Sequence, residues 1–295
     1  MLMRSAQTVF LVLAIGFGLS VLAQSWDEFV LALNGISSTS LVLSFVLASI
    51  GTAFGGIVWI RFLAVVGAPV PWTSASRLFF SGQLGKYLPG GVWNFVAHGV
   101  SGRKIGLSPR TAAGAGVFLI YILTLSGAVV VGVGHGALLA GSGLPSVVSP
   151  ILVLVALFLG SPPSASSLVN YILRVEPALR ISTLRMGQFF LLGLLIWFSY
   201  GASLALLIYE TGFLSYSLVT YAAAFAFAFI AGLFFPFAPA GIGVREAALV
   251  YALSDAVGPS GAVTVAVVSR LVHTIADFAI AGAVTFVARF RKAGD

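Results

Sequence analysis

Seven long apolar runs, near 8–24, 40–60, 111–134, 147–160, 186–209, 217–235 and 261–288, leave this chain few ways to fold in water. Only 8% of its residues are charged and 59% are hydrophobic, with a mean hydropathy of +1.09. A soluble domain carries about 25% charged residues. The shortfall is too great for a water-facing surface, so lipid must cover much of the chain. A helical span needs about 20 apolar residues. The expected fold is therefore an all-α polytopic membrane protein of seven to eight transmembrane helices, some of them broken or re-entrant at Pro and Gly, forming one membrane domain over 1–295. That length leaves no room for a soluble catalytic domain. The apolar run after Arg4 resembles a signal peptide, but with several spans following it is read as a retained first helix.

Cysteine is absent and histidine occurs three times, as His98, His135 and His273, with no HExxH-type pairing. Disulfides, thiolate nucleophiles and Cys-based metal sites are excluded, and neither a metal nor a cofactor is expected. The net charge of +7 could suggest nucleic acid, yet the cations cluster in loops beside the spans. Thirteen of the 15 Lys and Arg residues fall before the first run, between Arg61 and Arg110, in 161–185, or in the tail. The opposite loops carry Asp27, Glu28 and Glu210 and no cation. The positive-inside rule accounts for this pattern without nucleic acid. It predicts a multi-pass cell-membrane protein with both termini cytoplasmic.

Counting crossings on that topology exposes a conflict. The stretch "FPFAPAGIGVREAALVYALSDAVGPSG" must cross outward, yet its helical part, about Val244 to Val257, is too short at about 1.5 Å per residue. A broken crossing resolves the conflict. Irregular backbone at membrane depth is tolerated where it is buried in protein or lines a wet cavity, so a cavity is implied.

The polar linker near 161–185 divides the chain into halves, 1–160 and 186–295. Leu78-Phe79-Phe80 and Leu233-Phe234-Phe235 each precede a Pro/Gly break. This shared order suggests duplication, although LFF is a cheap match in a chain with 24 Phe. Transporters often carry such repeats, with interrupted segments marking the binding site.

Three constellations could carry chemistry. In "LGKYLPGGVWNF", Pro89 ends a helix, Gly90 and Gly91 allow a sharp turn, and the residues after Gly91 start a new helix. Its unpaired amides would attract phosphate, with Lys86 adding charge, Tyr87 and Trp93 suited to interfacial depth, and Asn94 beside them. The competing reading is an interfacial turn with a snorkelling lysine. In "PFAPAGIGVREAAL", Pro239, Gly241 and Gly243 lead into a helix bearing Arg245 and Glu246 in its first turn. Glu246 suits the helix dipole and Arg245 opposes it, which makes sense if an anion or an acid from elsewhere sits there. The alternative is an Arg–Glu pair that fixes a re-entrant hairpin. In "SRLVHTIADF", Arg270, His273 and Asp277 share one helix face and should point into the bundle. His273 and Asp277 are candidates for carrying a proton, against a purely structural salt bridge of Arg270 with Asp277 or Glu246. The run Ala112 to Gly116 predicts close helix contact. No GxSxG, P-loop, HxE or paired-carboxylate arrangement occurs.

Taken together, "GQLGKYLPGG", "PFAPAGIGVREAAL" and an arginine in the last span resemble the lysylphosphatidylglycerol synthase transmembrane-region family. That family forms the flippase-like membrane part of the bacterial multiple peptide resistance factor and also occurs as stand-alone proteins. The matching positions are Gly85, Lys86, Tyr87, Pro89 and Gly90, then Pro239, Gly241, Gly243 and Glu246, with Ala240 where the family commonly has glycine. The resemblance implies movement of lipids or lipid-linked sugars between leaflets, without lysyl transfer. The expected function is translocation of an anionic phospholipid or polyprenyl-phosphate-linked lipid. Its head group would bind between the broken segments on Lys86, Arg245 and Arg270. Alternatives are a membrane enzyme acting on a lipid phosphate or lipid-linked sugar, with Glu246 or Asp277 as base, and a scaffold for a separately encoded glycosyltransferase. Expected partners are the lipid, the membrane and, beyond those, such a glycosyltransferase or a second copy of the chain.

Overall fold

The computed structural model describes residues 35–88, 93–138, 147–174, 178–209, 217–235 and 238–293, which form nine α-helices and short 3₁₀ turns. The helices are α1 (Ser38–Val65), α2 (Trp72–Gln83), α3 (Trp93–Gly102), α4 (Pro109–Leu138), α5 (Val148–Leu159), α6 (Pro162–Leu173), α7 (Thr183–Tyr209), α8 (Leu218–Leu233) and α9 (Val244–Ala293). No strand occurs among the described residues. The expected first span, 8–24, lies outside them, as do His135's side chain and the turn at Pro89, Gly90 and Gly91.

Each expected apolar run within the described residues is helical. Among the described residues, four helices, α1, α4, α7 and α9, are long and apolar enough to cross a membrane, or five spans if the bent pair α5–α6 counts as one. That pair differs from the single span expected at 147–160. The chain bends by 59° between Leu159 and Pro162, because Gly160 and Ser161 end one helix and prolines at the first two positions restart the next. Part of the expected polar linker is thus helical. The fold is that of a multi-pass membrane protein.

Helices in lipid associate through close packing and hydrogen bonds across small residues, because lipid tails are as apolar as leucine. The centre of the bundle follows this rule. α1 and α7 run antiparallel, joined near one end by a buried 2.8 Å hydrogen bond between Ser44 and Ser203. Further along, Gly51 lies against the Tyr200 ring, where a Cβ would come within 2.4 Å of it. Gly201 meets the Ala222 backbone in α8, and Gly134 of α4 meets Ala223. The Ala112–Gly116 run packs as expected: Ala112 touches Gly102 of α3, Gly114 meets Leu173 of α6, and Gly116 meets Phe95. Trp59, Phe62, Phe79, Phe118 and Trp197 fill the interior behind these contacts.

Two interruptions position the site. The first is α2, a 3₁₀ turn at Leu84–Tyr87, and α3, with α2 packed on α9 and α3 on α4. At 12 and 10 residues, neither helix can span about 30 Å of hydrocarbon at about 1.5 Å per residue. The second runs from α8 through a 3₁₀ turn at Pro239–Gly241 into α9. Helix α9 is itself broken at Gly258, whose φ of 72° and ψ of 162° precede Pro259. Gly258 reaches that mirror-image backbone at no steric cost, and Pro259 removes an amide donor. The helical part from Val244 therefore stops where the sequence placed its end. The two 3₁₀ turns contact each other, so the two breaks meet inside the protein.

Candidate functional site

Around that meeting point lies a cavity of about 390 Å³, within the range of small-ligand sites. Lys86 and Tyr87 reach it from the first break, Asn94 and His98 from α3, Arg245 and Glu246 from the start of α9, and Arg270, His273 and Asp277 from beyond its kink. Phe79, Phe225, Phe229 and Trp197 contribute apolar wall.

The charges inside are unevenly paired. Asp277 is 6% exposed; its Oδ2 takes Lys86 Nζ at 2.6 Å and accepts a 2.6 Å hydrogen bond from the Tyr87 hydroxyl. The Tyr87 ring stacks on Phe278 at 5.6 Å, which holds the hydroxyl over the carboxylate. Arg270 Nε lies 3.4 Å from Glu246 Oε1, and its Nη2 donates to the Ala240 carbonyl at 3.0 Å. Glu246 Oε2 accepts the Gly243 amide at 2.6 Å. This is half of a capping box: the third residue of the helix reaches back to its N-cap amide, while the negative charge complements the dipole. Arg270 thus ties the kinked helix back onto its own entry turn.

Arg245 is different. Among the described residues it forms no ion pair. Its guanidinium lies over the Phe225 and Phe229 rings at 5.5 and 5.2 Å. Its stem fills a slot between two glycines: a Cβ would come within 2.7 Å of Arg245 Cγ at Gly232 and 2.8 Å at Gly241. The slot requires both residues to lack a side chain. Among the described residues, three cations and two carboxylates therefore line the cavity, one net positive charge before histidine is counted.

His273 sits between the Tyr200 and Phe225 rings, at 4.8 and 4.6 Å. Its Nδ1 donates to the Ser269 carbonyl at 2.9 Å, and its buried Nε2 has no hydrogen-bond partner among the described residues. His98, 1% exposed, repeats the arrangement, with Nε2 on the Phe79 carbonyl at 3.2 Å and Nδ1 unpartnered among the described residues. No cluster of three or more His, Cys, Asp or Glu able to hold a metal ion occurs among the described residues.

The family model for the lysylphosphatidylglycerol synthase TM region matches residues 9–281. The chain belongs to that family. No curated protein matches it significantly. In this member of the lysylphosphatidylglycerol synthase TM region family, the cavity gathers Lys86, Tyr87, Asn94, Gly241, Arg245, Glu246, Arg270, His273 and Asp277 from the sequence-derived candidates. Trp93 stands apart, 44% exposed and outside the lining. Gly243 contributes its amide to Glu246 rather than lining the cavity, and Pro239 belongs to the entry turn. Pro89, Gly90 and Gly91 fall outside the described residues.

Both structural alternatives for the acids hold in part. Arg270 does bind Glu246, and Asp277 does form a salt bridge, but with Lys86 rather than Arg270. Reading the sequence missed His98, Thr52, Gln83 and Tyr200, which also line the cavity. His98 carried a usable signal: it lies four residues after Asn94, on the same face of a helix beginning at the first break. Thr52 and Tyr200 sit within apolar helices and gave none.

Proposed function

We propose that this protein is a translocator that carries an anionic phospholipid or a polyprenyl-phosphate-linked lipid across the bilayer, with the head group held between the two broken segments. The observation that carries this reading is Arg245, a cation facing an internal cavity with no carboxylate bonded to it among the described residues. A charged side chain within the spanning part of a membrane protein is expensive and marks a functional site by default. A phosphodiester would cancel the one net positive charge of the lining, and guanidinium groups bind phosphate oxygens through strong charge-assisted hydrogen bonds. Lys86 and Arg270, both beside the cavity, would exchange part of their carboxylate pairing for the same phosphate. Glu246, His273 and Asp277 would then balance charge or carry a proton as the head group moves. The apolar wall suits the first carbons of a lipid tail.

On this reading the clustered cations set both termini in the cytoplasm of a cell membrane. The two breaks are then corresponding elements of two halves, as in transporters built from repeats.

The test is head-group translocation in liposomes carrying the purified protein, read by quenching of labelled phosphatidylglycerol or labelled polyprenyl phosphate in the outer leaflet. Faster exchange than in protein-free vesicles is expected, with no acceleration of labelled phosphatidylcholine. Equal rates with and without protein for both anionic probes would overturn the proposal.

A further inference from the structure

A second basic site lies away from the cavity, and no part of the translocation reading has a use for it. Because α1 and α7 run antiparallel, the last turns of α1 sit beside the first turns of α7. This brings Arg61 and Arg185 into one pocket of about 310 Å³, with Gln188 beside them and Ala64, Val65 and Phe189 as its apolar floor. Neither arginine forms an ion pair among the described residues, and no carboxylate lines the pocket. Arg185 is in the first turn of α7, which is a positive helix end and holds no acidic residue of its own. Arg61, Arg185 and Gln188 are all exposed, so two like charges beside a positive helix end stand open to an anion from outside the bundle.

The surroundings say what kind of anion. Gln188 continues along α7 into an exposed apolar stripe. Leu184 is 74% exposed, Leu191 57% and Leu195 38%. At this spacing they share a helix face with Gln188. In a multi-pass membrane protein, such a stripe faces hydrocarbon. The pocket therefore opens where a head group would be while its acyl chains lie along the leucines. Basic pockets between membrane helices at head-group depth bind anionic lipids, and arginine pairs a phosphate through two parallel hydrogen bonds.

We infer that Arg61 and Arg185 form a binding site for the phosphate of an anionic membrane lipid, separate from the central cavity and occupied by a resident lipid rather than by cargo. The ligand chemistry is a phosphate-bearing anion, and the acyl-facing leucines assign it to a lipid rather than to free phosphate. The site stands or falls independently of translocation, because it shares no residue with the cavity.

The experiment is native mass spectrometry of the full chain released from detergent containing phosphatidylglycerol and phosphatidylcholine, with R61Q, R185Q and the double variant. Wild type should retain phosphatidylglycerol in preference to phosphatidylcholine. The double variant should lose at least about tenfold in apparent affinity, the scale of one or two charge-assisted contacts. The R61K/R185K variant, which keeps the charges, should retain part of the binding and shows whether a loss reflects misfolding. Equal retention of phosphatidylglycerol by wild type and R61Q/R185Q would overturn the inference. Inorganic phosphate displacing the lipid at millimolar concentration would overturn the assignment to lipid.

Discussion

The two broken segments deliver one cation each to the same cavity, and they treat it in opposite ways. The first break presents Lys86 already bound, 2.6 Å from a carboxylate that is itself held by Tyr87. The second presents Arg245 over two phenylalanine rings with no carboxylate bonded to it among the described residues. The difference separates two jobs that look alike in sequence. A closed pair between Lys86 and Asp277 joins the first break to α9 and so holds the fold. On the translocation reading proposed above, an open guanidinium is left for a ligand that comes and goes. Cation–π contact suits that second role, because it is worth about 0.5–2 kcal/mol, enough to park the side chain and little enough to release it.

The largest effect should come from breaking the closed pair. Lys86→Met would leave Asp277, almost fully buried, with only the Tyr87 hydroxyl. Removing one partner of a buried ion pair costs about 3–5 kcal/mol, and the lower end applies here because Lys86 is 33% exposed. Chemical unfolding in detergent should show a loss of about 3 kcal/mol, and adding Asp277→Asn should recover most of it. A single variant as stable as wild type would mean that the first break is not pinned by this pair.

The same measurement on Arg245→Gln should give the opposite pattern. Stability should change by no more than about 2 kcal/mol, since only aromatic contact is lost. Translocation of the anionic probe should fall about tenfold, the equivalent of about 1.4 kcal/mol. If Arg245→Gln proved as destabilising as Lys86→Met while translocation per folded molecule stayed the same, Arg245 would be a structural cation and the contrast would vanish.

Much of this architecture was legible in the sequence. The apolar runs located helices because lipid enforces backbone hydrogen bonding within each span, so length and hydropathy carry unusual weight. The spacing of Arg270, His273 and Asp277 placed all three on the cavity, since a helix face is fixed by periodicity alone. The end of the short helix at Val257 followed from Gly258-Pro259. Partners were harder. Nothing within "SRLVHTIADF" says that Asp277 reaches Lys86 rather than Arg270, because that choice depends on α2 packing against α9, a contact between residues far apart in the chain. The bend in α5–α6 was missed because an uncharged run looks alike whether it crosses straight or turns at Ser161. The pocket at Arg61 and Arg185 was hidden for the same reason: each arginine looked like an ordinary loop-side cation until the antiparallel α1–α7 contact brought them together.

The smallest expected effect sharpens the comparison from the backbone side. Ala240, in the entry turn of the second break, has φ 49° and ψ 23°, a left-handed conformation that costs a residue with a Cβ about 1–2 kcal/mol. Its carbonyl takes the Arg270 guanidinium at 3.0 Å, so the turn is held from outside by an arginine that lies beyond the kink of α9. Ala240→Gly removes the Cβ penalty and keeps the carbonyl, while the unfolded chain gains freedom worth about 0.4–1 kcal/mol. The balance is a stabilisation of about 0.5–1 kcal/mol, seen as a slightly higher unfolding midpoint with the Lys86 and Asp277 variants unaffected by its presence. A lower midpoint would show that the Ala240 methyl group packs more favourably than its backbone conformation costs. In that case the second break would be held by side-chain contact as the first is, and only the Arg245 charge would distinguish them.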